Sequence, residues 1–478
     1  MDILALFLGN GLVWMAGVAL LLMVPLRGNA AGDGGLLPWT LGCGWFVGAF
    51  ALTLWMRALS AVPIPFGILS VGAPFLLIAV GRAVLLRPRA RAIGMLSPRI
   101  NAVALLGAQL QGWQRVLWLA ILAWLVLRYA LLLGEVLVRP LYPWDAWTQW
   151  GTKARVWFEL KTMAPFVPLA EWLQPGNTSY IDAAPHYPAL VPLLQVWSAL
   201  LIGAWNDVLV NFSWWLTALA FAFAIFGFLA RRGLQPLWAL VVTWLVASLP
   251  IFNVHVALAG YADLPMAAFL TLGVLAGLQW VSTRQWRDAA LAVVLLAACV
   301  TVKNPGKAWL VVLLPGFVAA LLPKRGVKVA GVMLTLAIGA VLVLAQTNAL
   351  VLGYQLRLNF VSPWRGLSDA WFAFGNWHLL WYGAIAVAVL GWRQLFSREL
   401  APLTIVIGSG LLFLFFGFAF TNAAQWVADQ STVNRATLHL ALLVAVWMAL
   451  VFQRWYEAQV AKAPPASAPT MPETIAVA

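Results

Sequence analysis

Two aspartates, a lysine and an arginine stand at the edges of long apolar runs, where a charged side chain needs a reason. Asp145 lies in YPWDAWTQWGTKARVWFEL (142–160), between Trp144 and the pair Trp147 and Trp150. Asp263 lies in HVALAGYADLPMAAF, Lys303 in TVKNPGKAWL, and Arg435 in STVNRATLHL with His439 one helical turn further on. A carboxylate within reach of a hydroxyl takes its proton and makes it a nucleophile. A second carboxylate can orient a substrate or hold a hard divalent ion. Lysine meets phosphate as a point charge, arginine through the parallel hydrogen bonds of its planar fork. Together these types suit proton abstraction beside a phosphate-bearing group.

Each position also has an ordinary structural explanation. Asp145 sits where a helix would begin, so its carboxylate could cap the first free N–H groups. Asp263 precedes Leu264-Pro265, a normal helix start. Lys303 and Lys307 could snorkel from the end of a span, while Asn304 and Gly306 would leave backbone groups accessible to a phosphate. Arg435 could pair with Asp429. Arg128 and Glu135 fall inside an apolar run and share a face, which makes them functional suspects. A contact between them, or between Glu135 and Arg139, is nevertheless the better explanation.

The elements that position these residues are membrane spans. Of 478 residues, 63% are hydrophobic and 9% charged, against about 25% charged in a soluble protein. Apolar runs of about 20 residues recur, each able to cross a hydrocarbon core as a helix. The expected fold is an all-α polytopic integral membrane protein with about thirteen transmembrane helices and juxtamembrane helices on the outer side. The opening, with Asp2 and no preceding basic run, reads as a span rather than a cleavable leader. Cys43 and Cys299 both fall in apolar runs and support neither a disulfide framework nor a thiolate metal site. The formal charge of +14 gathers in short clusters between spans, as the positive-inside rule expects, and excludes nucleic acid as the partner.

The first spans read as 3–26, 37–57, 61–81 and 116–138. The basic stretch of Arg82, Arg87, Arg89, Arg91, Arg99 and Arg115, then Arg231/Arg232, Arg284/Arg287, Lys324/Arg325/Lys328, Arg393/Arg398 and Arg454, should face the cytoplasm. The loops holding Asp145, Asp263, Lys303 and Arg435 then face outward. Parity requires an odd number of crossings between Asp145 and Arg231, so the run 188–205, with Pro188 and Pro192, is expected to lie in or dip into the interface. Trp147, Trp150, Ala154 and Trp157 form a helical stripe, with Gln149, Lys153 and Arg155 on other faces, which reads as an amphipathic helix on the outer membrane surface. Residues 1–110 divide off as a three-span extension plus basic loop, 111–456 as the main transmembrane domain with 139–206 as its large outer loop, and 457–478 as a disordered cytoplasmic tail.

The order of these stretches resembles the GT-C superfamily of membrane glycosyltransferases, in particular bacterial relatives of the protein O-mannosyltransferases and aminoarabinose transferases. The resemblance runs from about 115 to 455 and rests on an acid in the first large outer loop, His186-Tyr187-Pro188, Ala262-Asp263-Leu264-Pro265, Lys303-Asn304-Pro305-Gly306 and Asn434-Arg435. It implies an enzyme of the bacterial inner membrane, with its active site facing the periplasm, that moves a sugar from a polyprenyl-phosphate donor to an acceptor hydroxyl on a lipid, glycan or protein, with inversion. By that likeness Asp145 is the base, Asp263 positions substrate or a metal, and Lys303 and Arg435 approach the donor phosphate. His186, Tyr187, Gln149, Lys153, Asn304 and His439 are the candidates for substrate contact. Pro305 stands where the family often has an acid. Any ion at these carboxylates would be Mg²⁺ or Mn²⁺.

Two other classes compete. A transporter or flippase of lipid-linked glycans predicts ionisable groups near the bilayer midplane and paired broken helices. An O-antigen ligase or polymerase would place arginines and a histidine in a large late loop, whereas the largest outer loop here is early. A non-catalytic scaffold would be indifferent to loss of Asp145.

Overall fold

The structure, a computed structural model, describes residues 1–24, 34–86, 110–322, 324–351, 354–357 and 360–462. Arg87, Arg89, Arg91 and Arg99 of the expected basic loop, and residues 463–478 of the expected tail, lie outside them. The chain is an all-α protein, 76% helical. Among the described residues, eight helices are long and apolar enough to cross a membrane, or nine if a bent pair counts as one span.

The chain opens with α1 (Asp2–Met23), α2 (Leu36–Ala61) and α3 (Ile68–Leu86). α3 begins later than the hydropathy suggested because Val62 to Gly67, with two prolines, runs outside any helix. These helices are not set apart by packing. α2 is 83% buried over its most apolar stretch, and its Trp45 donates to Thr217 Oγ1 of α7 (Phe212–Arg231) at 3.0 Å. A single buried cluster runs from Leu6 to Val451.

α4 (Trp113–Val138) presents most of one side outward and leads to the 139–206 excursion. There a π turn (Ala146–Gly151) runs into α5 (Thr152–Leu160). The expected stripe is corrected at its first member: Trp150, Ala154 and Trp157 are buried but Trp147 is half exposed. A π turn winds more residues per turn, so positions three apart no longer share a face. The helix packs its buried side on α6 (Leu190–Ile202) rather than presenting it to lipid.

α6 itself has 13 residues, about 20 Å, too short to cross. Every residue from Leu190 to Leu200 is buried, so protein encloses it along its length. Beyond α7, α8 (Pro236–Ala247) and α9 (Pro250–Ala257) bend by 62° across the break. Pro250 opens α9, where its missing N–H costs nothing. Arg128 of α4 donates from Nε to Asn253 Oδ1 of α9 at 2.9 Å, and Glu135 pairs with Arg139 instead.

The remaining frame is α10 (Asp263–Thr283), α11 (Trp286–Val302), α12 (Pro305–Leu321), α13 (Gly326–Gln346), α14 (Leu380–Leu390), α15 (Ala401–Phe420) and α16 (Val433–Val460). Helix thus continues through 457–460, where a tail was expected. α10 fixes the layout. Asp263 starts it, and at its other end Ser282 accepts from Arg232 and Thr283 donates to Asp288, which also meets Arg231 at 3.6 Å. Twenty-one residues of helix separate the two ends by about 30 Å. The acids of the candidate site gather at one end of the bundle and the Arg231/Arg232/Arg287 cluster at the other.

Candidate active site

Gly260 brings the two acid-bearing segments together. It has φ +117°, a conformation L side chains rarely adopt, and a Cβ there would meet Ala146 Cβ at 2.4 Å. The chain between α9 and α10 can therefore lie directly against the turn that begins at Asp145. Trp214 of α7 holds that chain by donating to Tyr261 O at 2.8 Å.

Arg435, in the first turns of α16, reaches both acids. Its Nε donates to Asp263 Oδ2 at 2.9 Å, and its Nη2 lies 2.8 Å from the same oxygen. The same Nη2 donates to Asp145 Oδ2. Tyr261 supports the guanidinium from below, with 4.0 Å between the guanidinium carbon and the ring centroid, an arrangement favoured by the ring's negative face. Burial raises the Tyr261 hydroxyl above its ordinary value, and the Arg435 charge opposes that shift.

Asp263 is fully engaged. Its Oδ1 accepts from Lys303 Nζ at 2.7 Å and from His439 Nε2 at 3.1 Å. Trp309 Nε1 lies 3.3 Å from His439 Nδ1. An indole N–H can only donate, so Nδ1 accepts and Nε2 carries the proton shared with Asp263. His439 is thereby a neutral donor with no lone pair to spare. Burial lowers the Lys303 ammonium below its ordinary value, and the Asp263 charge beside it opposes the shift.

Asp145 differs from Asp263 in what it leaves open. It caps no helix N–H, and its Oδ1 meets no partner among the described residues, nor does Arg435 Nη1. Both residues line a cavity of about 680 Å³. Gln149, His186, Tyr187, Lys303, Asn304 and His439 line it too. The structure thus brings together nine of the ten residues to which the resemblance gives a catalytic, phosphate or substrate role.

Lys153 is the exception, and its expected substrate contact is corrected. It is buried, with Nζ 2.6 Å from Asp182 Oδ2 and 2.7 Å from Ala184 O. Burial lowers its ammonium below the ordinary value, and Asp182 opposes this. The pair clasps the 182–187 segment and so holds His186 and Tyr187 at the cavity wall, with Tyr187 edge-on to Trp150 at 5.4 Å. Lys153→Met leaves Asp182 buried without its cation, which should cost about 3–5 kcal/mol. Thermal unfolding checks this, and the double variant with Asp182→Leu should recover most of the loss.

Other expectations are also corrected. Asp429 accepts from Ser431 N at 2.9 Å rather than pairing with Arg435. Gly306 offers no accessible backbone. It is buried, its N–H bonds Lys303 O at 2.9 Å, and a Cβ would meet Cys299 O at 2.3 Å. Sequence reasoning passed over Tyr261, Trp309, Asn422 and Trp426, which also line the cavity. Tyr261 stands two residues before Asp263, but nothing in its spacing marks it as the support of a distant arginine.

A divalent ion does not fit this donor set. Mg²⁺ requires near-octahedral oxygen ligation. Both oxygens of Asp263 serve Lys303, Arg435 and His439, which leaves Asp145 Oδ1 as the one unengaged carboxylate oxygen among these residues. Among the described residues, no group of three or more His, Cys, Asp or Glu side chains could hold a metal. No family model, curated protein or solved structure matches the chain.

Proposed function

We propose that the protein is an inverting glycosyltransferase of the GT-C type, moving a sugar from a polyprenyl-phosphate donor to an acceptor hydroxyl. In this reading it sits in a bacterial inner membrane with about thirteen spans, and its cavity faces the periplasm. The observation that carries the proposal is the junction at Arg435. One guanidinium holds two carboxylates in the wall of a cavity, and Asp145 Oδ1 and Arg435 Nη1 have no partner among the described residues.

The chemistry follows from those open groups. Asp145 Oδ1 takes the proton of the acceptor hydroxyl as its oxygen bonds to the anomeric carbon. The bond from that carbon to the phosphate oxygen breaks, and the electron pair leaves with polyprenyl phosphate. Charge grows on that oxygen, where Arg435 Nη1 and the remaining Lys303 N–H groups can meet it. Attack opposite the leaving group inverts the anomeric carbon. Asp263 fixes the cations in place without needing to titrate.

The bend between α8 and α9 favours a second reading, a flippase of lipid-linked glycans, since broken helices are built into many transporters. The bend is single among the described residues, and Arg128 is engaged by Asn253 across it. Proteoliposomes loaded with a polyprenyl-phosphate sugar separate the two. A transferase releases free polyprenyl phosphate when membrane extract supplies acceptor, whereas a flippase moves the intact donor between leaflets and leaves the bond whole.

A further inference from the structure

A second, polar compartment adjoins the main cavity. It measures about 360 Å³ and is lined by Arg357, Val361, Thr421, Asn422, Ala424 and Gln425. Asn422 lines both spaces. Its position is fixed by the turn after α15, where Ala423 N donates to Thr421 Oγ1 at 3.0 Å and Thr421 donates onward to Gly417 O. Thr421 is therefore spent on the turn. Asn422 Oδ1 is buried and bonds nothing among the described residues, an unsatisfied acceptor that calls for a donor from a ligand.

Arg357 supplies the charge. Its backbone N–H bonds Phe420 O at 2.8 Å, which ties it to the end of α15, and its Nη2 donates to Gln355 Oε1 at 3.0 Å. In the main cavity Asp145 and Asp263 balance Lys303 and Arg435, so among the described residues lining the two spaces Arg357 is the cation without a carboxylate partner. Beside it stands an apolar shoulder. Phe360 is 48% and Trp364 61% exposed, and they pack on Phe420 at 5.4 Å and Phe415 at 4.8 Å. Exposed aromatic rings at a span's end suit the headgroup level of a bilayer and would be costly in water.

We propose that this compartment binds the headgroup of an anionic membrane lipid that carries free hydroxyls. Arg357 meets the lipid phosphate, Asn422 Oδ1 accepts from a headgroup hydroxyl, and the chains lie along Phe360 and Trp364. Resting on the transferase reading, that lipid is the acceptor, its hydroxyl entering the main cavity past Asn422. The apolar shoulder favours a lipid over a soluble glycan.

The test is native mass spectrometry of the full chain in detergent with equal phosphatidylglycerol and phosphatidylcholine of matched acyl chains. The wild type should retain phosphatidylglycerol about tenfold over phosphatidylcholine, a preference of the size one charge-assisted contact gives. Arg357→Gln should bring the ratio near unity, Arg357→Lys should restore part of it, and Asn422→Leu should reduce it. Equal retention of both lipids by the wild type, or a preference indifferent to Arg357→Gln, overturns the site. An Arg357-dependent preference with no release of polyprenyl phosphate from a polyprenyl-phosphate sugar keeps the lipid site and rejects the transfer.

Discussion

Asp145→Asn should lower the turnover of sugar transfer by about 10³–10⁴-fold, the upper range for loss of a general base. The change is nearly isosteric, and the amide oxygen can still accept from Arg435. What disappears is the negative charge at Oδ1 that draws the acceptor proton. The side chain is 20% exposed and Arg435 keeps its bonds to Asp263. The melting temperature should therefore move by about 2 °C or less. Donor affinity should be kept or rise, because Arg435 loses a competing carboxylate. Full activity in this variant would remove Asp145 from the chemistry, and a collapsed melting temperature would show it to be structural.

Arg435→Gln should cost about 10³-fold in turnover, as loss of a preorganised donor to a developing oxyanion does, and should weaken donor binding as well. The residue is held by Asp145, Asp263 and the Tyr261 ring at once. Its removal leaves Asp263, 1% exposed, with Lys303 and His439 alone. A stability loss of roughly 3 kcal/mol should follow, so activity must be read below the lowered melting temperature. Arg435→Lys should recover stability better than turnover, because one ammonium cannot span both acids and face the cavity with a further pair of N–H groups. The double variant with Asp145→Asn should be little worse than the worse single variant, since the two residues act as a unit. Additive losses would place them in separate steps.

The all-helical character and the membrane setting were legible from residue types, because a bilayer imposes continuous apolar runs of fixed length. Asp145, Asp263, Lys303 and Arg435 were legible as a group because each is a charge at the same side of a run, where burial must be repaid. Their mutual geometry was not. Nothing local to Asp145 shows that its partner stands 290 residues away, and its position at a helix start made capping an equal candidate. Lys153 was misread because it falls off the apolar stripe with Gln149 and Arg155, while its partner Asp182 comes from a loop that folds back over it. The π turn at Ala146–Gly151 was invisible to a pattern search that assumes a regular helical period. Packing of α2 in the centre of the bundle was likewise hidden. An apolar helix faces lipid or protein with the same residues, and hydropathy does not distinguish them.

The most direct measurement for the central claim is native mass spectrometry of the purified protein with added polyprenyl-phosphate sugar. A one-to-one complex should form that survives Asp145→Asn, is lost in Arg435→Gln, and in the wild type converts to bound polyprenyl phosphate once acceptor membrane extract is supplied. Retention of bulk phospholipid alone, with no adduct in either the wild type or Asp145→Asn, would contradict it.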